Sequence, residues 1–397
     1  MARKITLSMM NQNRSAEVSA SIQADMAQFG RMNGMDISCV EFDYVTGWSD
    51  FMRMSIYGSS TDVSEIGTTW IHDFVAMNVL RSFSPSEIRS LGGVDTFVPG
   101  SWKSGADSGA VWAIPWMTDL SMVCYRRDLL AKAGIPEQDA FSTPERFEQT
   151  LQQLKDSGVA SPWVVPTQRS YINVHNLAMW VWQAGQDLVD TEKRLVLFDQ
   201  PAVRSAILSF FRLHRYISRD MQNLVEKDAD QMFIDGKAAV TISGPWNIIY
   251  SLRSPAVAAN MGLAIPFGCS YLGGASLIVW ERTAQPAASL DLIGHLTSHE
   301  FQTVFPKTVG LLPGRLDSLE SFPLPDPSLY PVVLQALKTG RSLPNIGLWG
   351  LIEDRLASAI PGLWQAIFAS PAPDLEALYD EHISPLARRL NITLAQS

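Results

Sequence analysis

The sequence predicts an α/β protein built as two discontinuous lobes joined by a hinge, and three observations carry that prediction. Its 397 residues exceed what one ordinary core accommodates. Strand-like and helix-like segments alternate from the N-terminus, an order that calls for a parallel sheet with helix-covered faces. Breaks near residues 115–119, at Ile265-Pro266 and in the Pro-rich run Ser321 to Pro331 mark points where the chain crosses between lobes. They assign residues 1–115 plus 266–325 to lobe I and 116–265 plus 326–397 to lobe II. Several short connections of this kind are the geometry of a hinge.

Ile5 to Met10 reads as the first strand, followed by the polar loop Asn11 to Ser15, which carries Asn13. Val18, Ile22, Met26 and Phe29 then recur at helical spacing toward Gly30 and Gly34. A second strand runs from about Ile37 to Tyr44 and a third from Thr61 to Thr68. Asp43, Tyr44 and Trp48 come just after the second strand, and Trp70, His72 and Asp73 just after the third. In a parallel sheet these ends share one edge, where open α/β sheets bind ligands. Asp107 to Gly109 is a turn between extended segments leading into Pro115-Trp116, and a strand from Asp119 to Tyr125 feeds a helix through Ala133. Thr143 and Pro144 are an N-cap and a first helical position. On a helix from 174 to 184, Asn176 and Trp180 lie one turn apart and share a face. Further on, Met261 to Ile265 and Gly273 to Trp280 read as strands, Pro286 to Thr297 as a helix, and Tyr330 to Leu394 as helical, with Trp349 and Trp364 inside it.

Met232 to Ile248 packs a helix end, a turn, a strand, a second turn and a new helix into one stretch without spare residues. Gly236 fits the left-handed position that ends a helix, and Ala238 to Ile242 is an uncharged run suited to a covered strand. Ser243, Gly244 and Pro245 break that strand, which places Trp246 beside the first turn of the next helix.

Composition narrows the function. Hydrophobic residues are 46% and charged residues 18% of the chain, which fits a folded domain without disordered stretches. The net charge is −9 with no basic block, which argues against a nucleic-acid groove or an anionic membrane surface. No apolar run is long enough to span a bilayer. Cys39, Cys124 and Cys269 lie far apart in apolar contexts and read as core thiols, without a disulfide framework or metal spacing. Phosphate-loop, dinucleotide and nucleophile-elbow signatures are absent, so neither catalysis nor a cofactor is expected. His295 and His299 stand at i, i+4 spacing beside Glu300, a pattern better read as a solvated helix face than as a metal pair.

Several motifs, taken in order, resemble a family. They are Asp107-Ser-Gly-Ala-Val-Trp-Ala-Ile-Pro115, Tyr125 to Ile135, Phe233-Ile-Asp-Gly-Lys-Ala-Ala239 followed by Gly244-Pro-Trp246, Ile265-Pro266 followed by Gly273-Gly274, and Gln302 to Arg315. The succession resembles the family 1 extracellular solute-binding proteins, the maltose-binding-like receptors of ABC importers, which have a type II periplasmic-binding-protein fold. Tyr125-Arg126-Arg127 and Thr143-Pro144 depart from the family's usual Tyr-Asn and Thr-Trp. The resemblance implies a monomeric, extracytoplasmic, non-enzymatic receptor, with a periplasmic or lipid-anchored mature form. A sugar, expected to be an oligosaccharide, is clamped between the lobes and delivered to an ABC permease.

Sugars present apolar C–H faces and rings of hydroxyls, so their sites need aromatic platforms and polar partners. The residues expected to serve are Trp48, Trp70, Trp116, Trp180, Trp246 and Trp349 as aromatic groups and Asn13, Asp43, Asp119, Asn176 and Arg315 as polar ones. Gly274, and Gly244 likewise, would permit close backbone approach to a ligand. Two alternatives stay open. One is a glycan-active hydrolase pairing Asp43 with Asp119 or Glu353, and the other is a same-fold receptor for a small charged solute.

Overall fold

The computed structural model describes residues 3–11, 16–44, 46–58, 61–107, 109–344 and 346–396. Numbering the longer elements in chain order, the first pass comprises β1 (Arg3–Asn11), α1 (Ala16–Asn33), β2 (Met35–Asp43), α2 (Gly47–Tyr57), β3 (Val63–Gly67) and β4 (Ile114–Leu120). Next come β5 (Met122–Arg126), α3 (Pro144–Asp156), β6 (Trp163–Val164), α4 (Tyr171–Gln183), α5 (Pro201–Phe211), α6 (Glu226–Ile234), β7 (Val240–Ser243), α7 (Pro245–Ser251) and β8 (Met261–Ala264). The chain continues through β9 (Leu272–Trp280), α8 (Pro286–Leu296), α9 (His299–Val309) and β10 (Leu312–Pro313). It closes with α10 (Tyr330–Thr339), α11 (Trp349–Phe368), α12 (Leu375–His382) and α13 (Ser384–Gln396).

Two compact units result. Unit 1 holds Met1–Asp119 and Leu272–Pro323, and unit 2 holds Leu120–Tyr271 and Leu324–Ser397. The first changeover falls between Asp119 and Leu120, at the end of the stretch 115–119 and not at residue 115, because Ile114 to Asp119 are strand residues of unit 1's sheet. Pro115 reads as a break, yet it precedes Met117 and Thr118, the residues that pair with β10, so its missing N–H interrupts nothing there.

Unit 1 carries a sheet in the order β10-β4-β9-β3-β1-β2, with Leu80–Arg81 also paired to β9. β1 is parallel to both β2 and β3, whereas β9 runs antiparallel to β3. The three parallel strands therefore end on one edge, at Asn11, Asp43 and Gly67. Gly274 in β9 has φ +124, and a Cβ there would stand 2.2 Å from the Met117 carbonyl oxygen of β4. Strand packing alone thus requires the glycine.

Unit 2 has the sheet β8-β5-β7-β6, with β5 antiparallel to β7 and β8 and β6 parallel to β7. Its helices start where local chemistry allows. Thr143 accepts a bond from Arg146 N at 3.2 Å and caps α3. α4 begins three residues earlier than the apolar spacing indicates because Ser170 accepts from Ile172 N at 3.1 Å. Trp180 lies in the core of this unit, edge-to-face with Phe147, Phe210 and Phe267 at centroid distances of 5.7, 5.1 and 4.6 Å. Pairs of this kind contribute about 0.5–1.5 kcal/mol each beyond the area they bury.

Candidate functional site

Each unit assembles polar and aromatic groups at a strand end. In unit 1 the edge formed by β1, β2 and β3 is organised by a carboxylate that no sequence signal singles out. Glu65, fully buried in β3, accepts from Met10 N at 2.8 Å. It does so just beyond Ser8↔Ser64, the last register pair that β1 and β3 share. Beside it, Asn11 donates to Glu41 at 2.9 Å, and Tyr44 stacks on Trp70 with ring centroids 6.0 Å apart. The Trp70 ring is only 1% exposed and lies against Gly47 and Gly67. Trp48 sits in the first turn of α2, half-buried, with its indole Nε1 donating to Asp73 at 2.8 Å. Asp43 is exposed at the end of β2. Asn13 lies outside the described residues.

In unit 2 the stretch from Met232 to Ile248 forms the expected succession of turn, strand, turn and helix, with Gly236 left-handed at φ +71. Trp246 remains half-buried on the first turn of α7. Its Nε1 donates to Oδ2 of Asp230 at 2.6 Å, while Oδ1 accepts from Ser243 at 2.7 Å and from Asn247 at 2.9 Å. Asp230 is 8% exposed, and burial pushes its carboxyl up from the usual range against the pull of those three donors. A Cβ on Gly244 would stand 2.1 Å from Trp246 Cζ3, so the glycine makes room for the ring.

The other expected residues are distributed differently. Trp116 is fully buried in unit 1 and stacks on Phe305 at 5.2 Å, because β4 presents it to α9 instead of ending ahead of it. Trp180 is enclosed by the phenylalanines already described. Trp349 is 1% exposed at the start of α11. Asn176 is fully buried, and neither Nδ2 nor Oδ1 has a hydrogen-bond partner among the described residues. The preceding residue, His175, meets Glu353 at 3.1 Å and stacks on Tyr271 at 3.8 Å. Asp119 is 8% exposed.

Arg315 is engaged within unit 1, bidentate to Asp317 at 2.9 and 2.8 Å and bonded to the Thr297 carbonyl at 3.1 Å. The Arg315 guanidinium, assisted by His299, holds the Asp317 carboxyl down at about 2. A depressed carboxyl adds stability above its ordinary value of 3.8, and that stability is lost as pH falls toward about 2. Asp317 is half-exposed, so the effect is expected to be no more than about 1 kcal/mol. Thermal melts of wild type and Asp317→Asn should differ at about pH 5 and converge at about pH 2. The two histidines of the i, i+4 pair sit on separate helices, α8 and α9, with Ser298 capping the second. His295 bonds Asp25 and His299 bonds Ser318, and no metal-holding cluster occurs among the described residues.

A fold of two α/β units threaded by three crossings, with aromatic and acidic groups at strand ends, defines the solute-binding receptors that serve ABC importers, a class of binding proteins and not of enzymes. Residues 25–330 match the bacterial extracellular solute-binding proteins, and the chain belongs to that family. It is 23% identical over 304 residues to the diacetylchitobiose binding protein DasA of Streptomyces coelicolor, a match that covers 74% of this chain and 69% of DasA. Among solved structures, an ABC transporter solute-binding protein of Thermotoga lettingae bound with α-D-tagatose superposes with a TM-score of 0.81. The two are 17% identical, over 99% of this chain and 100% of that one. The sugar-binding protein MalE of Xanthomonas citri gives a TM-score of 0.76 at 21% identity, over 99% and 98% of the chains. Maltose-bound MalE3 of T. maritima gives 0.78 at 20% identity, over 99% and 100%. Among the described residues, no helix is long and apolar enough to cross a membrane.

Proposed function

We propose that this receptor binds a carbohydrate, an oligosaccharide in preference to a single sugar, for delivery to an ABC permease outside the cytoplasm. The observation that carries the reading is the half-buried Trp246, whose ring is fixed at its edge by Asp230 and lies over a glycine. A flat indole face held in this way suits the C–H face of a pyranose. Trp48, similarly anchored to Asp73, and the exposed Asp43 give unit 1 an aromatic surface and a hydroxyl acceptor of the same kind. The names of the relatives are consistent with the reading, since diacetylchitobiose, maltose and tagatose are all carbohydrates.

The test is a thermal-shift panel of diacetylchitobiose, maltose, maltotriose, tagatose and mannitol. A ligand at about a hundred times its Kd stabilises the native state by about 2.7 kcal/mol. The expected outcome is a clear upward shift with at least one disaccharide or trisaccharide and a smaller one with tagatose and mannitol. A panel without any shift rejects the carbohydrate reading, and a shift with mannitol alone rejects the preference for oligosaccharides.

A further inference from the structure

We infer that Asp230 is the positioning residue of the carbohydrate platform, fixing the Trp246 ring through the indole N–H while making no contact with the sugar itself. The inference rests on the proposal that Trp246 is that platform.

The geometry separates the duties of the two carboxylate oxygens. Oδ1 takes the Ser243 hydroxyl at the end of β7 and the Asn247 amide on α7, while Oδ2 takes the indole. One side chain on α6 therefore ties together the strand end, the turn and the following helix turn. Asn247 Oδ1 is buried without a partner among the described residues, so the orientation of that amide is set by its donor side, which faces Asp230. Around the same turn, Gly244 leaves no Cβ beneath the ring. The ring is thus constrained at its edge by Asp230 and on one face by the backbone, and its remaining exposure is available to a ligand.

The residue type matters. A carboxylate is acceptor-only, so it satisfies three converging donors at once, whereas an amide must turn its NH2 toward one of them. Burial works against the charge, so a carboxylate here is not the arrangement that packing alone would select. Two gains for binding follow from keeping it. A ring already immobilised loses less freedom when a sugar settles on it. A carboxylate on the indole N–H also adds electron density to the ring, strengthening a face whose attraction for polarised C–H groups is electrostatic.

Two measurements test the assignment. The first is the indole 15N–1H spectrum of the wild-type chain, with the Trp246 resonance identified by its disappearance in Trp246→Phe. It should lie downfield and exchange slowly with D2O although the ring is half-buried. Exchange at the rate of a free indole would overturn the inference, and because the wild-type chain is used, no folding defect can obscure it.

The second is a double-mutant cycle by calorimetry, with diacetylchitobiose and maltose as probes and Asp230→Asn, Trp246→Phe and the double variant as proteins. Asp230→Asn keeps an oxygen for Ser243 and Asn247 and presents an NH2 group to the indole. Binding should weaken about tenfold or more, with no further loss when Trp246→Phe has already removed the N–H. Equal losses in the two backgrounds would mean that Asp230 acts on the fold and not through the ring, which overturns the inference. If Trp246→Phe and Trp246→Ala both bind as the wild type does, or if neither sugar binds the wild type, the platform reading fails instead. The spectrum then still decides whether the tie between Asp230 and Trp246 exists.

Discussion

Gly274→Ala is expected to destabilise unit 1 by about 3–5 kcal/mol, the sum of a strained backbone and an overpacked strand contact. At φ +124 an L side chain is strained whatever space surrounds it. Here there is no space, because the added Cβ would stand 2.2 Å from Met117 O, 2.8 Å from Asp119 N and 2.9 Å from Thr118 Cα. All three are backbone atoms of the neighbouring strand, so relief requires β4 and β9 to separate and not merely a side chain to turn. Gly34→Ala is the control. Its φ is +65 and, among the described residues, nothing lies within 4 Å of where a Cβ would stand, so only the cost of the left-handed conformation, about 1–2 kcal/mol, applies. Urea unfolding of both variants measures the contrast, and a Gly274→Ala midpoint no lower than that of Gly34→Ala would contradict the close approach of β4 and β9.

That glycine also shows what the sequence can and cannot specify. A Gly-led strand near residue 273 announces a close approach, but the neighbour it approaches is fixed only by the sheet order. The same limit governs the tryptophans. Gly236, the uncharged run after it and the Ser243-Gly244-Pro245 break are local signals, and the turn, strand and helix around Trp246 were legible from them. Trp116 and Trp180 carry signals no weaker, yet Phe305 in one case and Phe147, Phe210 and Phe267 in the other meet them across long sequence separations. Asp230 was illegible for a related reason. It closes the polar stretch Glu226-Lys-Asp-Ala-Asp230, which reads as a solvated helix start, and only the packing of α6 against β7 and α7 turns it inward. Arg315, expected as a polar partner for the sugar, bonds Asp317 only two residues away, which short-range charge pairing could have revealed.

Trp246→Ala should weaken carbohydrate binding by about thirtyfold to a thousandfold, the loss expected when about 2–4 kcal/mol of aromatic contact is removed at an anchor. The ring is half-buried, so the variant should remain folded. Gly244→Ala offers a sharper comparison, because it leaves the tryptophan in the chain. With φ −85 and ψ −177 the backbone at 244 accepts alanine, but the new Cβ would lie 2.1 Å from Cζ3, 2.3 Å from Cη2 and 2.5 Å from Cε3 of the Trp246 ring. The ring has to leave, and in leaving it gives up its bond to Asp230. If orientation is what makes Trp246 a platform, Gly244→Ala should lose nearly as much affinity as Trp246→Ala, and combining the two should add little. If Gly244→Ala binds as the wild type does, an indole displaced from its cradle is as good as one held in it, and the ordered ring would have no part in recognition.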